Sequence, residues 1–151
     1  MNKRGFTLVE LLGVIVILSI IMLIAIPNVT AVLERTKKDN YIVDCKRFVS
    51  MVQTELRNGR VEKPILGEEE KIDLKYFENT GELQNDSDGY EYDMFQSFVN
   101  VKNEDGFLVY YVQLVAKNYK GNNHYRGIKL VDIEKLDGDD RYQYYKNDFE
   151  I

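Results

Sequence analysis

The 151-residue sequence has few of the residues that small proteins use for cross-links, metal sites and catalysis. One cysteine excludes a disulfide within the chain and a cysteine-based zinc cluster. One histidine leaves little room for a histidine-centred metal site or a serine–histidine relay. Two prolines exclude a collagen-like or polyproline region. No spacing indicates a nucleophile–base pair or a phosphate loop, so we expect neither enzymatic activity nor a bound cofactor, with calcium as the one candidate ion discussed below.

The apolar residues, in contrast, are abundant and unevenly placed. Phe6 to Ile26 are 21 residues with a single charge, that of Glu10. At ~1.5 Å per helical residue they span roughly 32 Å, close to the thickness of a bilayer's hydrocarbon core. Lys3 and Arg4 precede this run, and the positive-inside rule then predicts a cytoplasmic N-terminus. A cleaved secretory signal fits less well, because Pro27 would lie at the cleavage site.

Glu10 is the informative residue of this apolar run. A carboxylate inside an apolar helix is costly and requires a partner. The sequence has no basic residue between Phe6 and Glu34. Cleavage after Gly5 would create an ammonium group on Phe6, four residues before Glu10 and on the same helix face. The pattern therefore predicts processing between Gly5 and Phe6.

Residues 3–12 read KRGFTLVELL and continue into an apolar run that ends at Pro27. This segment resembles the leader and helix start of type IV pilins and pseudopilins. In that family a prepilin peptidase cuts after the glycine and N-methylates the new terminus. The resemblance assigns these roles to Gly5 and Phe6, and the leader charge to Lys3 and Arg4. It assigns to Glu10 the acid that meets the terminal amine of a neighbouring subunit, and to Pro27 the helix-breaking proline.

The resemblance implies a structural protein in a membrane-derived assembly. Its partners would be copies of itself and other pilins in a helical filament, a prepilin peptidase, an inner-membrane assembly platform, and the membrane before assembly. The protein would cross the cytoplasmic membrane once, N-terminus inside, and then enter an extracellular filament. We favour a type IV pilus-like subunit. The alternatives are a pseudopilin of a type II secretion or DNA-uptake (competence) machine, and a membrane-tethered binding module. Adhesion, twitching motility, secretion and DNA uptake all remain open as the task.

The remaining residues predict an α+β fold in which a long N-terminal helix, apolar in its first half and amphipathic in its second, packs against a C-terminal antiparallel sheet. We divide the chain into a leader (1–5), an apolar helix segment (6–26), an amphipathic helix (27–57) and a sheet domain (58–151), with the helix bent or loosened at Pro27. The amphipathic half carries an apolar stripe formed by Ile42, Cys45, Val49, Val52 and Leu56, with Phe48 beside it. Cys45 is predicted to be a buried core thiol.

Three strands are predicted at residues 90–102, 107–117 and 127–133, with a hairpin turn at 103–106. Residues 142–145 are an edge strand or pack the tail. Residues 73–77 form a short helix or strand. Residues 58–71 are expected to be a polar connection in which Glu68, Glu69 and Glu70 form a solvated turn.

Two acidic loops invite a calcium interpretation. One contains Asp86 and Asp88, and the other contains Asp137, Asp139 and Asp140. Neither has EF-hand spacing. Solvated turns are the simpler interpretation, and calcium stays a candidate because no disulfide can hold this region.

One basic, aromatic stretch is a candidate loop for an anionic ligand. It comprises Lys117, Tyr119, Lys120, His124, Tyr125, Arg126 and Lys129. Lysine, arginine and tyrosine together can pair with phosphates and stack on bases. The 12 basic and 20 acidic residues from position 58 onward, however, give this part of the chain a net charge of −8, which opposes nucleic-acid binding. A solvated loop or a contact between subunits is the alternative.

Overall fold

The computed structural model describes residues 6–117, 125–136 and 144–149. Helix α1 (Leu8–Arg57) is followed by five strands: β1 (Glu69–Asp73), β2 (Phe98–Glu104), β3 (Phe107–Lys117), β4 (Tyr125–Asp132) and β5 (Tyr144–Phe149). Two short 3₁₀ helices lie at Leu74–Thr80 and Ile133–Leu136. The chain comprises two units, Met1–Thr36 and Lys37–Ile151. The predicted α+β class, with a long N-terminal helix and an antiparallel sheet, is confirmed.

The sheet is an antiparallel meander with the strand order β1-β2-β3-β4-β5. Its tightest connection is the β2–β3 turn, in which Glu104 pairs with Phe107 across Asp105 and Gly106. Both turn residues have positive φ, 51° and 88°. Two-residue hairpin turns of this type match the twist of the flanking strands, and they favour aspartate followed by glycine. The predicted turn at residues 103–106 is confirmed.

The core lies between the second half of α1 and one face of the sheet. The buried helix residues are Tyr41, Cys45, Phe48, Val49, Val52 and Leu56. They pack with buried sheet residues that include Val99, Val101, Val112, Leu114 and Ile128. The predicted stripe is therefore confirmed, except that Ile42 is only partly buried. Cys45 is fully buried as predicted, and burial raises the pKa of its thiol, so this cysteine is a packing residue.

A glycine on β4 permits the close approach of α1. Gly127 has φ +135°, and a Cβ there would lie 2.3 Å from the Leu114 carbonyl oxygen and 2.8 Å from Tyr41 Cε1. A side chain at this position would therefore collide with the backbone of β3 and the ring of Tyr41. Glycine at residue 127 is required by space as well as by backbone conformation.

Two parts of the chain differ from the sequence-based expectation. The strand predicted at 90–102 begins only at Phe98, because Asp93 Oδ1 accepts the backbone N–H groups of Phe95 (3.0 Å) and Gln96 (2.9 Å) and holds a turn. The polar connection predicted at 58–71 contains the start of β1. Glu69 lies on this strand, not in a solvated turn, and pairs with Lys102 at 3.3 Å, whereas Ile72 is buried opposite Val99.

Candidate assembly site

The first turn of α1 is closed by two of its own residues. The Thr7 backbone N–H and hydroxyl group both donate to Glu10 Oε2, at 2.8 and 2.9 Å. The Glu10 backbone N–H donates to Thr7 Oγ1 at 3.3 Å. This reciprocal arrangement is a capping box, which satisfies backbone donors that the first helical turn leaves unpaired. The carboxylate also lies at the positive end of the helix dipole. Glu10 thus has a local hydrogen-bonding partner within its own chain.

The sequence itself contains the signal for this partner, which the prediction of a Phe6 ammonium group overlooked. Threonine followed three residues later by glutamate, directly before an apolar run, is the sequence pattern of a capping box. Attention to charge alone led to the Phe6 ammonium group as the partner of Glu10. Phe6 is 78% exposed, and its pairing with Glu10 stays a prediction. Lys3, Arg4 and Gly5 lie outside the described residues.

The side chains of the apolar run that follows are exposed. Every residue from Phe6 to Ile26 is exposed, including Leu8, Leu23 and Ile24 at 83%, 77% and 66%. Among the described residues, α1 is the one helix long and apolar enough to cross a membrane, by length and composition, with a mean hydropathy of 3.0 over its most apolar window. A signal sequence meets the same criterion. A core helix of a soluble domain would be mostly buried, whereas none of this window is.

Polar residues in and after the run are satisfied inside the helix. The Ser19 hydroxyl group donates to the Ile15 carbonyl oxygen at 2.7 Å. After Pro27, which has no N–H to donate, Asn28 Nδ2 donates to the Ile24 carbonyl oxygen at 3.1 Å. α1 continues through Pro27 without interruption. Satisfied polar groups of this kind are compatible with an apolar environment.

The candidate loop for an anionic ligand has a different character from the one its sequence suggests. Arg126 forms ion pairs with Asp86 (Nη2 to Oδ2, 2.8 Å) and with Asp88, and its guanidinium group lies 4.5 Å from the ring centre of Tyr90. Lys117 lies 3.5 Å from Asp93. Two of the predicted cations are therefore already paired with carboxylates. Tyr119, Lys120 and His124 lie outside the described residues.

Asp86 is the centre of this buried network and is not in a solvated turn. Its Oδ1 accepts the backbone N–H groups of Asp88 and Tyr90, both at 2.9 Å. Its Oδ2 accepts the Tyr41 hydroxyl group at 2.8 Å, in addition to the ion pair with Arg126. The carboxylate thereby connects α1, the loop at 85–92 and β4. Burial and the neighbouring Asp86 charge both raise the pKa of Tyr41, which therefore stays a neutral donor.

The same network bears on the calcium hypothesis for this loop. Lys37 Nζ lies 3.0 Å from Asp88 Oδ2. Burial alone would raise the pKa of Asp88, but hydrogen bonds from Arg126 and Lys37 outweigh burial and hold the pKa below its ordinary value. The positive charge that the loop requires is thus supplied by arginine and lysine side chains. Asp137, Asp139 and Asp140 lie outside the described residues, so calcium at the second loop stays a hypothesis.

Comparison with known proteins shows similarity in the N-terminal part of the chain. Residues 1–26 match the family model described as the prokaryotic N-terminal methylation motif. The chain is 41% identical over 56 residues to the ComG operon protein 3 homolog of Bacillus licheniformis. The aligned residues cover 37% of this chain and 54% of that protein. It is 43% identical over 56 residues to the competence protein ComGC of Bacillus subtilis, covering 37% and 53%.

The chain spans about half the length of these curated relatives. No solved structure matches it. The motif match includes the predicted leader, the first turn with Glu10 and the apolar run. The exposed apolar residues up to Ile26 and the capped Glu10 both lie within the matched range. Residues 1–26 thus carry a prokaryotic N-terminal methylation motif, and the chain is similar over 56 residues to ComG-type proteins of two Bacillus species.

Proposed function

We propose that the chain is a pseudopilin-type subunit of a competence filament. In this proposal it is inserted in the cytoplasmic membrane, cut after Gly5, methylated on Phe6 and assembled through the apolar half of α1. The observation that carries the proposal is the complete exposure of Phe6–Ile26. A helix that is apolar on all sides must be buried on all sides, first by lipid and then by other helices. The protein acts as a structural subunit and not as an enzyme.

The names of the relatives favour DNA uptake over the other tasks. One relative is named competence protein ComGC and the other ComG operon protein 3 homolog, and the chain is more than 40% identical to each over 56 residues. The sequence alone favours a type IV pilus subunit over a pseudopilin of a type II secretion or DNA-uptake machine, and these similarities reverse that preference. A secretion pseudopilin remains the structural alternative, because the same helix would serve it.

The membrane-tethered binding module loses support. Its candidate loop required free cations, whereas Arg126 and Lys117 are paired with carboxylates. Salt-dependent binding of DNA by a fragment beginning near Asn28 would restore that hypothesis.

The decisive experiment uses the full chain as the only copy in its own cells. Filaments sheared from the cell surface should contain the chain, and its intact mass should correspond to a product that begins at methylated Phe6. Deletion of the gene should abolish uptake of added DNA and leave protein secretion unchanged. Gly5→Val is the matched control, since a side chain at the cleavage site should leave an uncut precursor in the membrane. A chain in filaments that still begins at Met1, or normal DNA uptake after deletion, would contradict the proposal.

A further inference from the structure

The β2–β3 hairpin presents an apolar and acidic tip that nothing in the described chain covers. Phe107 is 77% exposed, and Glu104 and Asp105 beside it are exposed as well. Neither carboxylate has a cationic partner among the described residues. Both turn residues have positive φ, as a tight two-residue hairpin requires. The tip therefore presents one large ring and two negative charges.

A second uncovered surface lies on α1 just after the predicted membrane span. Val29, Val32 and Leu33 are 56%, 63% and 55% exposed, and their spacing of three and four puts them on one helix face. Arg35 follows Val32 by three residues, is exposed, and has no carboxylate partner in the described part of the chain. This surface, which we call the Val29–Arg35 segment, continues the apolar run of Phe6–Ile26.

These two surfaces are complementary in chemistry. Each combines exposed apolar side chains with charge: Glu104 and Asp105 at the hairpin, and Arg35 on the helix, where the adjacent Glu34 already has a partner in the described chain. We propose that the hairpin tip of one subunit docks on the Val29–Arg35 segment of another copy, with Phe107 against the valines and leucine and Glu104 near Arg35. The inference rests on the proposed function and names a contact that sets the register of the sheet domains in the filament.

A contact of this kind has a consequence for assembly. The two surfaces are different, so each copy can use its hairpin on one neighbour and its helix segment on another. Such head-to-tail contacts generate an open helical filament when the rotation from one copy to the next does not close a ring. Complementary charges at the edge of an apolar contact exclude wrong registers, because a shifted subunit brings like charges together or leaves them unpaired.

The test is a charge reversal with rescue in the full chain, expressed as the only copy. Glu104→Arg and Arg35→Glu should each lower the number of surface filaments by about tenfold or more, because each places like charges together. The double variant should restore filaments. Glu62→Arg, at an exposed acid elsewhere on the domain, is the matched control and should assemble normally. Mature protein retained in the membrane is measured in parallel, so that a folding defect is recognised by its loss.

A second pair of variants tests the apolar part of the proposed contact. Phe107→Thr should reduce filaments, whereas Phe95→Thr, at a ring that is 64% exposed elsewhere, should not. Normal filaments from Glu104→Arg and Phe107→Thr, or a double variant no better than the single reversals, would overturn this contact alone. An unaltered chain that never enters filaments would overturn the proposed function together with it.

Discussion

The two halves of helix α1 differ in whether their apolar side chains are buried. From Phe6 to Thr36 no residue is buried, whereas six residues between Tyr41 and Leu56 are. The second half has one apolar stripe, and one sheet face covers it. The first half is apolar on every side, and one sheet face can cover only one side of a helix. The difference shows that the first half encodes contacts with something other than its own domain.

The carboxylates of the two regions differ in the same manner. Asp86 is held by residues far away in sequence, from α1 and β4. Glu10 is held only by Thr7, three residues away. A local cap satisfies hydrogen bonds but supplies no opposite charge. The charge of Glu10 therefore remains available to an ammonium group on another chain, which the buried and paired Asp86 is not.

The largest expected effect comes from removing the charge of Glu10. We expect Glu10→Ala and Glu10→Gln to be inserted and cleaved normally and to enter filaments poorly or not at all, because a subunit would then lack the charge that fixes its height against a neighbour. Glutamine can still serve as the third residue of a capping box. The pair therefore separates charge from capping, and the measurement is the count of surface filaments against mature protein retained in the membrane.

Normal filament numbers from Glu10→Ala would exclude a role of Glu10 in the contact between subunits. Filaments from Glu10→Gln but not from Glu10→Ala would assign the effect to the cap of the helix. Pairing of Glu10 with Phe6 of its own chain predicts little effect of either change on assembly.

The next largest effect is expected from substitutions that test whether the second half of α1 is buried on one side only. A fragment beginning near Asn28 should be a soluble monomer with one helix and an antiparallel sheet. Within it, Phe48→Ala should lower the free energy of unfolding by about 3–5 kcal/mol, because Phe48 is fully buried and packs edge-to-face on Phe77. Val43→Ala, at a residue that is 61% exposed, should change it by less than about 0.5 kcal/mol.

Urea unfolding followed by circular dichroism gives both values. Equal decreases in the free energy of unfolding from Phe48→Ala and Val43→Ala would contradict a helix that is buried on one side only. An unfolded or almost wholly helical fragment would contradict the sheet itself.

A smaller effect concerns the buried network that joins α1 to β4. Arg126→Met should cost the fragment about 3 kcal/mol at neutral pH, because it leaves the buried Asp86 carboxylate without its cation. The pKa of Asp88 is lowered in the folded state. Its contribution is therefore complete above the ordinary aspartate pKa of about 4 and is lost as the pH falls through the folded pKa.

The measurement is the free energy of unfolding of the fragment between pH 7 and pH 3. The unaltered fragment should lose stability on acidification more steeply than Arg126→Met does. Lys63→Met, at an exposed cation outside the network, is the control and should leave both the stability and its pH dependence unchanged. An Arg126→Met fragment as stable as the control would contradict the network's contribution.

What the sequence could predict follows from how local each signal is. The stripe of Cys45, Val52 and Leu56 and the turn at Asp105 are set by neighbours along the chain, and both were predicted. The ion pairs of Arg126 could not be predicted, because its partners Asp86 and Asp88 are about 40 positions away and only the fold brings them together. The acids at 68–70 looked like a solvated turn, since the strand that pairs with Glu69 lies about 30 residues further on.

The smallest expected effect is that of the cap itself. Thr7→Val removes the hydroxyl group that exchanges hydrogen bonds with Glu10, yet it keeps the Glu10 charge and the Thr7 backbone N–H donor. Loss of an N-cap costs about 0.5–2 kcal/mol of helix stability. We therefore expect filaments to form in reduced number, well above those of Glu10→Ala. Thr7→Ser retains the hydroxyl group and should assemble normally. If Thr7→Val abolished filaments as completely as Glu10→Ala, the threonine hydroxyl group would have a direct role in subunit contact, and the distinction between a local cap and an intermolecular charge would fail.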